Sequence, residues 1–231
     1  MFRSSCCSAA VLVALFCVSV TSMPASANVV ISDGAFNDAN WTLVARPYGP
    51  GGGSGSATQV LTGGAGDNGP ARQTSNSAGP NNSGSYNASI YTAFTYNPAA
   101  SGPLTALSIS IDARFINGLS AIGAVVEQSG LIWMAGNAVN TPSWQTYTFT
   151  PVASDWFLIN PSGGVSGPGP DFSAAGAPMR FGFFTANGTS AGGNPYTNVG
   201  LNDNFVVSFI PAPSAAVLLA LSGLIAARRN R

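Results

Sequence analysis

The sequence contains no histidine and no lysine, and its three cysteines all lie within the first 17 residues. Without histidine, neither a serine–histidine–aspartate triad nor a histidine-ligated zinc centre can be built. Without lysine, and without cysteine in the rest of the chain, the many serine and threonine hydroxyls lack the usual partners that activate a nucleophile. These absences exclude hydrolases that use a histidine-containing triad and enzymes with a histidine-ligated zinc ion.

The first 27 residues have the order of parts of a secretory signal peptide. Arg3 supplies a positive charge, an apolar run covers residues 9–20, and the small residues Ala25 and Ala27 follow. These alanines suit a cleavage site, so we predict that signal peptidase removes residues 1–27 and that the remainder is exported. The apolar run is short for a hydrocarbon core of about 30 Å, which favours cleavage over the alternative of an uncleaved anchor.

The C-terminus has three ordered parts. They are Pro211, Ala212 and Pro213, then an apolar stretch over residues 215–227, then Arg228, Arg229 and Arg231. The apolar stretch has no polar face, which disfavours the alternative of an amphipathic core helix. Arginines at its far end would stay cytoplasmic under the positive-inside rule. The pattern therefore predicts a hydrophobic helix through which the exported body is held at the membrane.

This tail resembles the PEP-CTERM sorting signal, with alanine at position 212 where glutamate is usual in that family. The resemblance implies recognition by an exosortase-like membrane protease and cleavage near Pro211. It also implies display on the cell envelope or release into an exopolysaccharide matrix. Only residues 211–231 carry the resemblance, which implies nothing about the rest of the chain.

Residues 28–210 form a body of 183 residues, the length of a single domain. The body contains four arginines and eight acidic residues, a net charge of −4, and no cysteine. Disulfides and thiolate sites are thereby excluded. Because there is no basic patch to neutralise phosphates, nucleic acid is not expected as a partner.

Alternation of apolar and polar residues predicts β-structure in the body. The alternation is strict from Leu107 to Phe115 and recurs at 144–150, 179–183 and 205–209. No stretch has the i, i+3, i+4 apolar spacing of a helix. About eleven short strands, separated by glycine, proline and asparagine, predict an all-β fold. We expect an antiparallel β-sandwich of jelly-roll type.

Two glycine-rich stretches, 48–85 and 162–170, are predicted to be long loops of the sandwich. Within the first, Thr58–Leu61 is a candidate for a short strand. A flexible interdomain linker is the alternative for this stretch. The preceding segment is too short to be a domain, which favours loops.

Paired carboxylates offer one route to an enzyme. A glycosidase needs two carboxyl groups about 5–10 Å apart across a cleft. Asp112 and Glu127, the only glutamate, lie on successive predicted strands that could bring them together. The alternative is that both are solvated residues on strand faces. A polysaccharide-active enzyme is therefore kept as a competing hypothesis.

Two segments resemble the terminal strands of carbohydrate-binding jelly-roll modules. They are the turn from Asp33 to Asp38 that precedes Trp41, and the last strand, 201–207. The resemblance implies a structural calcium ion ligated by Asp203, with oxygens from Asp33 and Asp38 completing the site. Oxygen ligands suit Ca²⁺. The alternative is that these residues form turns and bind no metal.

Aromatic residues raise the question of sugar binding, because sugars stack on exposed rings. The candidates are Trp133, Trp144 and Trp156, together with Tyr86, Tyr91, Tyr96 and Tyr196. Trp144 is the strongest candidate for sugar binding, since Tyr147 and Phe149 take the opposite face of its strand. The alternative for all of these rings is the hydrophobic core.

The sequence as a whole predicts an exported surface or matrix protein that is not an enzyme and has affinity for polysaccharide. A purely structural protein that self-associates through its glycine-rich loops is the further alternative.

Overall fold

The computed structural model describes residues 28–117, 120–160 and 163–212, without the side chains of 160 and 163–166. The predicted signal peptide, with Ala25 and Ala27, lies outside the described residues. So does the tail from Pro213 onward, with Arg228, Arg229 and Arg231. Within the described ranges, no helix is long and apolar enough to cross a membrane.

The described residues form thirteen strands, one four-residue helix and two short 3-10 helices. The strands are β1 (Val29–Asp33), β2 (Trp41–Tyr48), β3 (Gly53–Val60), β4 (Ala71–Ala78), β5 (Gly84–Tyr91), β6 (Leu104–Phe115), β7 (Ser120–Gln128), β8 (Leu131–Val139), β9 (Gln145–Phe149), β10 (Phe157–Asn160), β11 (Gly163–Ser166), β12 (Met179–Gly188) and β13 (Tyr196–Pro211). The helix α1 spans Pro98–Ser101, and the 3-10 helices span Asp38–Asn40 and Ala153–Asp155.

The strands form two antiparallel sheets that pack face to face. The six-stranded sheet has the order β3-β4-β13-β6-β9, and β1 pairs with the C-terminal half of β13. The seven-stranded sheet has the order β11-β10-β8-β7-β12-β5-β2. The pairings β4–β13 and β5–β12 join distant parts of the chain, which is the rolled connectivity of a jelly roll. The predicted fold class is confirmed.

Alternation along the strands fills the main core between the sheets. From β6, Ile109 and Ile111 point inward and are fully buried. Phe181 and Phe183 of β12 meet them from the other sheet, and Phe205 of β13 is buried beside them. Full burial of each such side chain contributes about 1.5–3 kcal/mol, so this cluster is the main source of stability.

A second part of the interior between the two sheets is polar. Arg72 on β4 is only 2% exposed, and its Nε donates to the Ser89 hydroxyl of the facing sheet at 3.1 Å. Asn87 of β5 donates to the Asn76 side chain of β4, and Asn202 donates to the Arg72 carbonyl at 3.0 Å. Buried polar groups cost free energy unless they are paired. The bonds of Arg72 and Asn76 to β5 therefore connect the two sheets where apolar residues are absent, and the bond of Asn202 lies within the six-stranded sheet.

Strands occupy part of both stretches that were predicted to be loops. About half of stretch 48–85 forms strands β3 and β4 and the start of β5, and part of 162–170 forms β11. The inward positions of β4 are Arg72, Thr74 and Asn76 instead of apolar residues, so the alternation that marks a strand is missing. Thr58–Leu61 does overlap a strand, since β3 ends at Val60.

The seven-stranded sheet is also apolar on its outer face. There Val125, Met134 and Phe184 belong to a second buried cluster. Strands β10 and β5 are four positions apart, about 19 Å in a flat sheet, yet the rings of Phe157 and Tyr86 are 6.2 Å apart between centroids. The edge strands β11 and β2 approach within 8 Å between Cα atoms. The sheet therefore curls around this cluster and nearly closes on itself.

Candidate functional site

A groove opens at one end of the curled sheet, where β2 and β8 end and β5 and β7 begin. Its volume is about 170 Å³. We call it the tyrosine groove, and it is lined by Tyr48, Tyr86, Ser120, Ala121, Ala138, Ala186, Asn187, Gly188 and Tyr196. The mouths of barrel-like sheets are common positions for ligand sites, and apolar walls with a few polar groups are typical of them.

Three half-buried tyrosines provide the aromatic surface of the groove. The rings of Tyr48 and Tyr86 have centroids 5.0 Å apart and planes inclined by 33°. The hydroxyl of Tyr48 donates to the Asn187 carbonyl at 3.3 Å, and that of Tyr196 donates to the Gly188 carbonyl at 3.2 Å. These bonds fix the direction of two rings while part of each ring surface stays in contact with solvent.

The environment keeps the phenols of Tyr48 and Tyr86 protonated. Burial raises the pKa of Tyr86 above its ordinary value of 10.0. Burial also raises the pKa of Tyr48, and the neighbouring Tyr86 and Tyr196 add to that rise. The hydroxyls of Tyr48 and Tyr86 are therefore neutral donors and acceptors over the whole physiological range. No aspartate or glutamate lines the groove.

Two glycines lie behind the groove on the inner wall of the curl. Gly123 of β7 pairs with Gly136 of β8. A Cβ atom at Gly123 would lie 2.2 Å from the Ala135 carbonyl oxygen and 2.5 Å from the Phe184 ring. Glycine is thus required for the close approach of strands that bends the sheet, and the bend in turn creates the groove.

Larger pockets exist elsewhere on the surface, but they contain fewer partly exposed aromatic rings. Three have volumes of about 390, 330 and 360 Å³. Phe149 is the half-buried ring in the first and Phe172 that in the second. The third contains Phe209, which is 1% exposed. None of the three places several half-exposed aromatic rings side by side.

Trp133 and Trp156 do not serve as the predicted sugar platforms. Trp133 is 5% exposed and Trp156 is 3% exposed, and both belong to the main core. Trp156 borders the hollow beside Phe172, whose ring centroid is 6.1 Å from its own. A ring this well covered has no face open to a sugar, and both indoles supply core volume instead.

Trp144 lies on the outer side of the six-stranded sheet, opposite to Tyr147 and Phe149, as the alternation of residues 144–150 predicted. Tyr147 and Phe149 of β9 pack against the main core, whereas Trp144 is half-buried outside it. The guanidinium carbon of Arg114 lies over the indole, 5.2 Å from its centroid. One face of this ring is therefore occupied by Arg114, in a cation–π contact.

Each of the three predicted calcium ligands accepts hydrogen bonds from its own set of protein donors. Asp33 accepts from the Trp41 indole at 2.8 Å and from the Ala35 backbone at 2.9 Å. Asp38 accepts from Arg72 at 2.9 Å. Asp203 accepts from the backbone N–H groups of Asn204 and of residue 65, both at 2.7 Å.

Within the described ranges, no three side chains of the metal-ligating types come together. Burial raises the pKa of Asp203 above 3.8, and the charges of Asp67 and Asp112 add to this rise. The carboxylates of Asp33, Asp38 and Asp203 are engaged by protein donors, so the alternative of turn-forming residues fits the geometry better than a shared ion.

Asp112 and Glu127 do not form a catalytic pair. Asp112 is on the outer face of the six-stranded sheet, where it accepts from Thr146. Glu127 is on the outer face of the seven-stranded sheet, where it forms an ion pair with Arg180 at 2.8 Å. The two sheets stack about 10 Å apart, and the carboxyl groups point away from each other, so they cannot share a cleft.

The first residue of the predicted sorting motif belongs to a strand of the six-stranded sheet. Pro211 is the last residue of β13 and pairs with Leu104. The Ala212 backbone N–H donates to the Pro103 carbonyl at 2.7 Å. The first two residues of the motif are therefore held against β6 and its approach segment, and Pro213 lies beyond the described residues.

Tyr48 was absent from the sequence-derived candidates, although Tyr86 and Tyr196 were among them. It is the last residue of β2, which spans Trp41–Tyr48. The alternation Val44, Arg46, Tyr48 was the available indication that Tyr48 shares a face with residues of the second cluster.

Comparison with protein-family models found no match, and no curated protein matches the chain. Among solved structures, it is similar to a family 11 carbohydrate-binding module from Clostridium thermocellum, in complex with a β-1,3-1,4-mixed-linked tetrasaccharide. The identity is 16%, the match covers 80% of this chain and 96% of that one, and the TM-score is 0.45.

It is also similar to the CBM22-1 xylan-binding domain of Paenibacillus barcinonensis Xyn10C, at 12% identity over 83% of this chain and 100% of that one, with a TM-score of 0.42. At such identities and scores these likenesses assign no ligand to any residue here.

Proposed function

We propose that this chain is an exported, non-enzymatic surface or matrix protein that binds polysaccharide in the tyrosine groove. The observation that carries the proposal is the set of Tyr48, Tyr86 and Tyr196, three half-buried rings that line one groove; Tyr48 and Tyr86 lie side by side on the curled sheet, and Tyr196 is contributed by β13 of the other sheet. Such rings provide stacking surface for a sugar, and their hydroxyls provide hydrogen bonds. Because strands hold the rings, little entropy is lost when a ligand binds.

The size of the groove limits what it holds. Pockets for drug-sized ligands measure about 300–1,000 Å³, whereas this groove measures about 170 Å³ and is open to solvent. It suits one sugar ring, with the rest of a chain running outward over the surface. This geometry favours recognition of a chain end or a side branch.

Binding is tested by affinity electrophoresis of the purified protein through gels that contain mixed-linkage β-glucan, xylan, galactan or polygalacturonate. We expect retardation in at least one gel. Tyr86→Ala should weaken it about tenfold, which corresponds to about 1.4 kcal/mol of lost stacking. Tyr86→Phe, which keeps the ring, should retain most of the binding.

Trp144→Ala is the matched control, since it removes an aromatic ring from the other sheet. Thermal melts of all variants verify that each is folded. Retardation that survives Tyr86→Ala but disappears in Trp144→Ala would move the site to the Trp144 surface. Absence of retardation in every gel would refute the binding function.

Export and processing are a separate part of the proposal, supported by the order of parts at the two ends of the sequence. We expect the mature protein to begin at Asn28 and to lack the arginine cluster, after cleavage near Pro211 by an exosortase-like protease. Mass spectrometry of the protein from the cell surface and the medium measures both ends. A mature product that retains Arg231 would contradict processing.

A further inference from the structure

We infer that the tyrosine groove selects an acidic sugar, a uronate, whose carboxylate is bound by Arg46; this inference rests on the proposed function. Arg46 is on β2, directly opposite Tyr86 of β5 in the sheet register. Residues directly opposite each other on antiparallel strands have Cβ atoms about 5 Å apart on the same face. Arg46 and the two rings therefore share one surface.

Arg46 differs from the other described arginines in having its charge uncommitted. Arg72 is paired with Asp38, Arg180 is paired with Glu127, and Arg114 stacks on Trp144. Among the described residues, Arg46 forms no ion pair, and its one hydrogen bond runs from Nη1 to the carbonyl of the preceding residue at 3.4 Å. Its remaining guanidinium donors are available to a ligand.

Arg46 is a positive side chain at the edge of the groove of an otherwise acidic protein. The body is acidic overall, with eight acids and four arginines, so a polyanion would be repelled over most of the surface. The groove itself has no carboxylate in its lining. A half-buried arginine at its edge is therefore a local exception to the charge of the protein. Guanidinium and carboxylate have matching fork geometry and form short, strong pairs.

Stacking and charge act on different parts of the same ligand. A uronate ring places its carboxylate at the edge of the ring, while the faces of the ring remain free to pack on Tyr48 and Tyr86. A neutral hexose would keep the stacking but lack the partner for Arg46. The site should thus distinguish a uronate from the corresponding hexose by the charge-assisted contact alone.

The test uses single sugars, so that it does not depend on the linkage of any polymer. Glucuronate, galacturonate and mannuronate are each titrated against their neutral counterparts glucose, galactose and mannose. Binding to the ¹⁵N-labelled protein is followed by NMR at low salt. We expect at least one uronate to shift resonances of β2 and β5 with a Kd at least tenfold lower than that of its neutral hexose.

Arg46→Gln should remove this preference, so that the uronate and its neutral hexose bind with similar Kd values. Arg114→Gln, the same change of charge on the other sheet, should leave the preference intact. Raising the ionic strength should reduce binding of the uronate only, because salt screens the exposed pair.

The outcomes separate the two proposals. If hexose and uronate shift the groove resonances equally, or if Arg46→Gln leaves the preference unchanged, the inference of an acidic ligand is overturned while the groove remains a glycan site. If no sugar shifts resonances of the groove and no polysaccharide gel retards the protein, the glycan-binding function fails as well.

Discussion

Replacement of Asp38 by asparagine should destabilise the protein, because it leaves a positive charge buried without a counter-charge. Arg72 is 2% exposed, and its Nη1 donates to Asp38 at 2.9 Å. Removal of one partner from a buried ion pair typically costs about 3–5 kcal/mol. The Asp38 side chain is 52% exposed, so solvent screens part of its charge, and we expect about 2 kcal/mol.

A loss of about 2 kcal/mol lowers the Tm of a domain of this size by about 4–8 °C. Urea titration followed by tryptophan fluorescence at pH 7 gives the free energy of unfolding directly. The control is the same substitution in an Arg72→Met background, where no buried charge remains and Asp38→Asn should cost much less. A loss below about 0.5 kcal/mol, or equal losses in both backgrounds, would refute the explanation.

The pH dependence of this effect has a definite sign. Burial alone would raise the pKa of Asp38, but hydrogen bonds from Gln59, Thr58 and Arg72 outweigh it and lower the pKa below 3.8. A carboxyl whose pKa is lowered by folding contributes stability above its unfolded pKa. That contribution disappears as the pH falls through the folded value. The difference between wild type and Asp38→Asn should therefore shrink below about pH 4.

Three further results are expected. Gly123→Ala should destabilise the protein by about 1–3 kcal/mol, because its Cβ atom would meet the Ala135 carbonyl oxygen; an unchanged melting temperature would contradict the account of the curl. Folding raises the pKa of Tyr48 and Tyr86 above 10.0, so stability present below pH 10 should fall as the pH rises through the folded values. Urea midpoints at pH 9 and 11 measure this fall, and Tyr86→Phe should reduce it. EDTA should leave the melting temperature unchanged, whereas a decrease that added Ca²⁺ reverses would establish a structural ion and restore a metal role for Asp203.

The main core was predictable because its strands follow a simple rule. The strict alternation from Leu107 to Phe115 placed Ile109 and Ile111 on one face, and these side chains are fully buried. The same rule gave the correct face for Tyr147. Alternation identifies a strand and its inner side whenever apolar residues fill that side.

Strand β4 and most of β3 escaped prediction, and for β4 the reason is that most of its inner side is polar. Asn76 and Arg72 face the interior and are satisfied by partners on the opposite sheet. Those partners, Ser89 and Asn87, belong to a different part of the sequence. A polar residue is stable inside only if its partner is in place, and local sequence carries no information on that partner.

The separation of Asp112 and Glu127 was not predictable for a related reason. Strands β6 and β7 are consecutive in sequence but belong to different sheets. Consecutive strands usually neighbour each other, and the pattern of residues does not record when the chain crosses over. The Trp133 and Trp156 predictions failed likewise, because a large ring suits both a sugar site and a core, and burial alone decides between them.

The second apolar face of the seven-stranded sheet explains why the groove is where it is. A sheet with two apolar faces needs cover on both sides, yet only one face has a partner sheet. The outer face is covered by the sheet itself, as the curl brings Phe157 of β10 against Tyr86 of β5 and Phe184 of β12. The curl leaves the tyrosine groove open at its mouth. Strands β2 and β5, which hold Tyr48 and Tyr86, also contribute to the second cluster, so displacing either ring would disturb the packing of that cluster. The site is therefore kept rigid by the free energy of folding, and a ligand meets rings that are already in position.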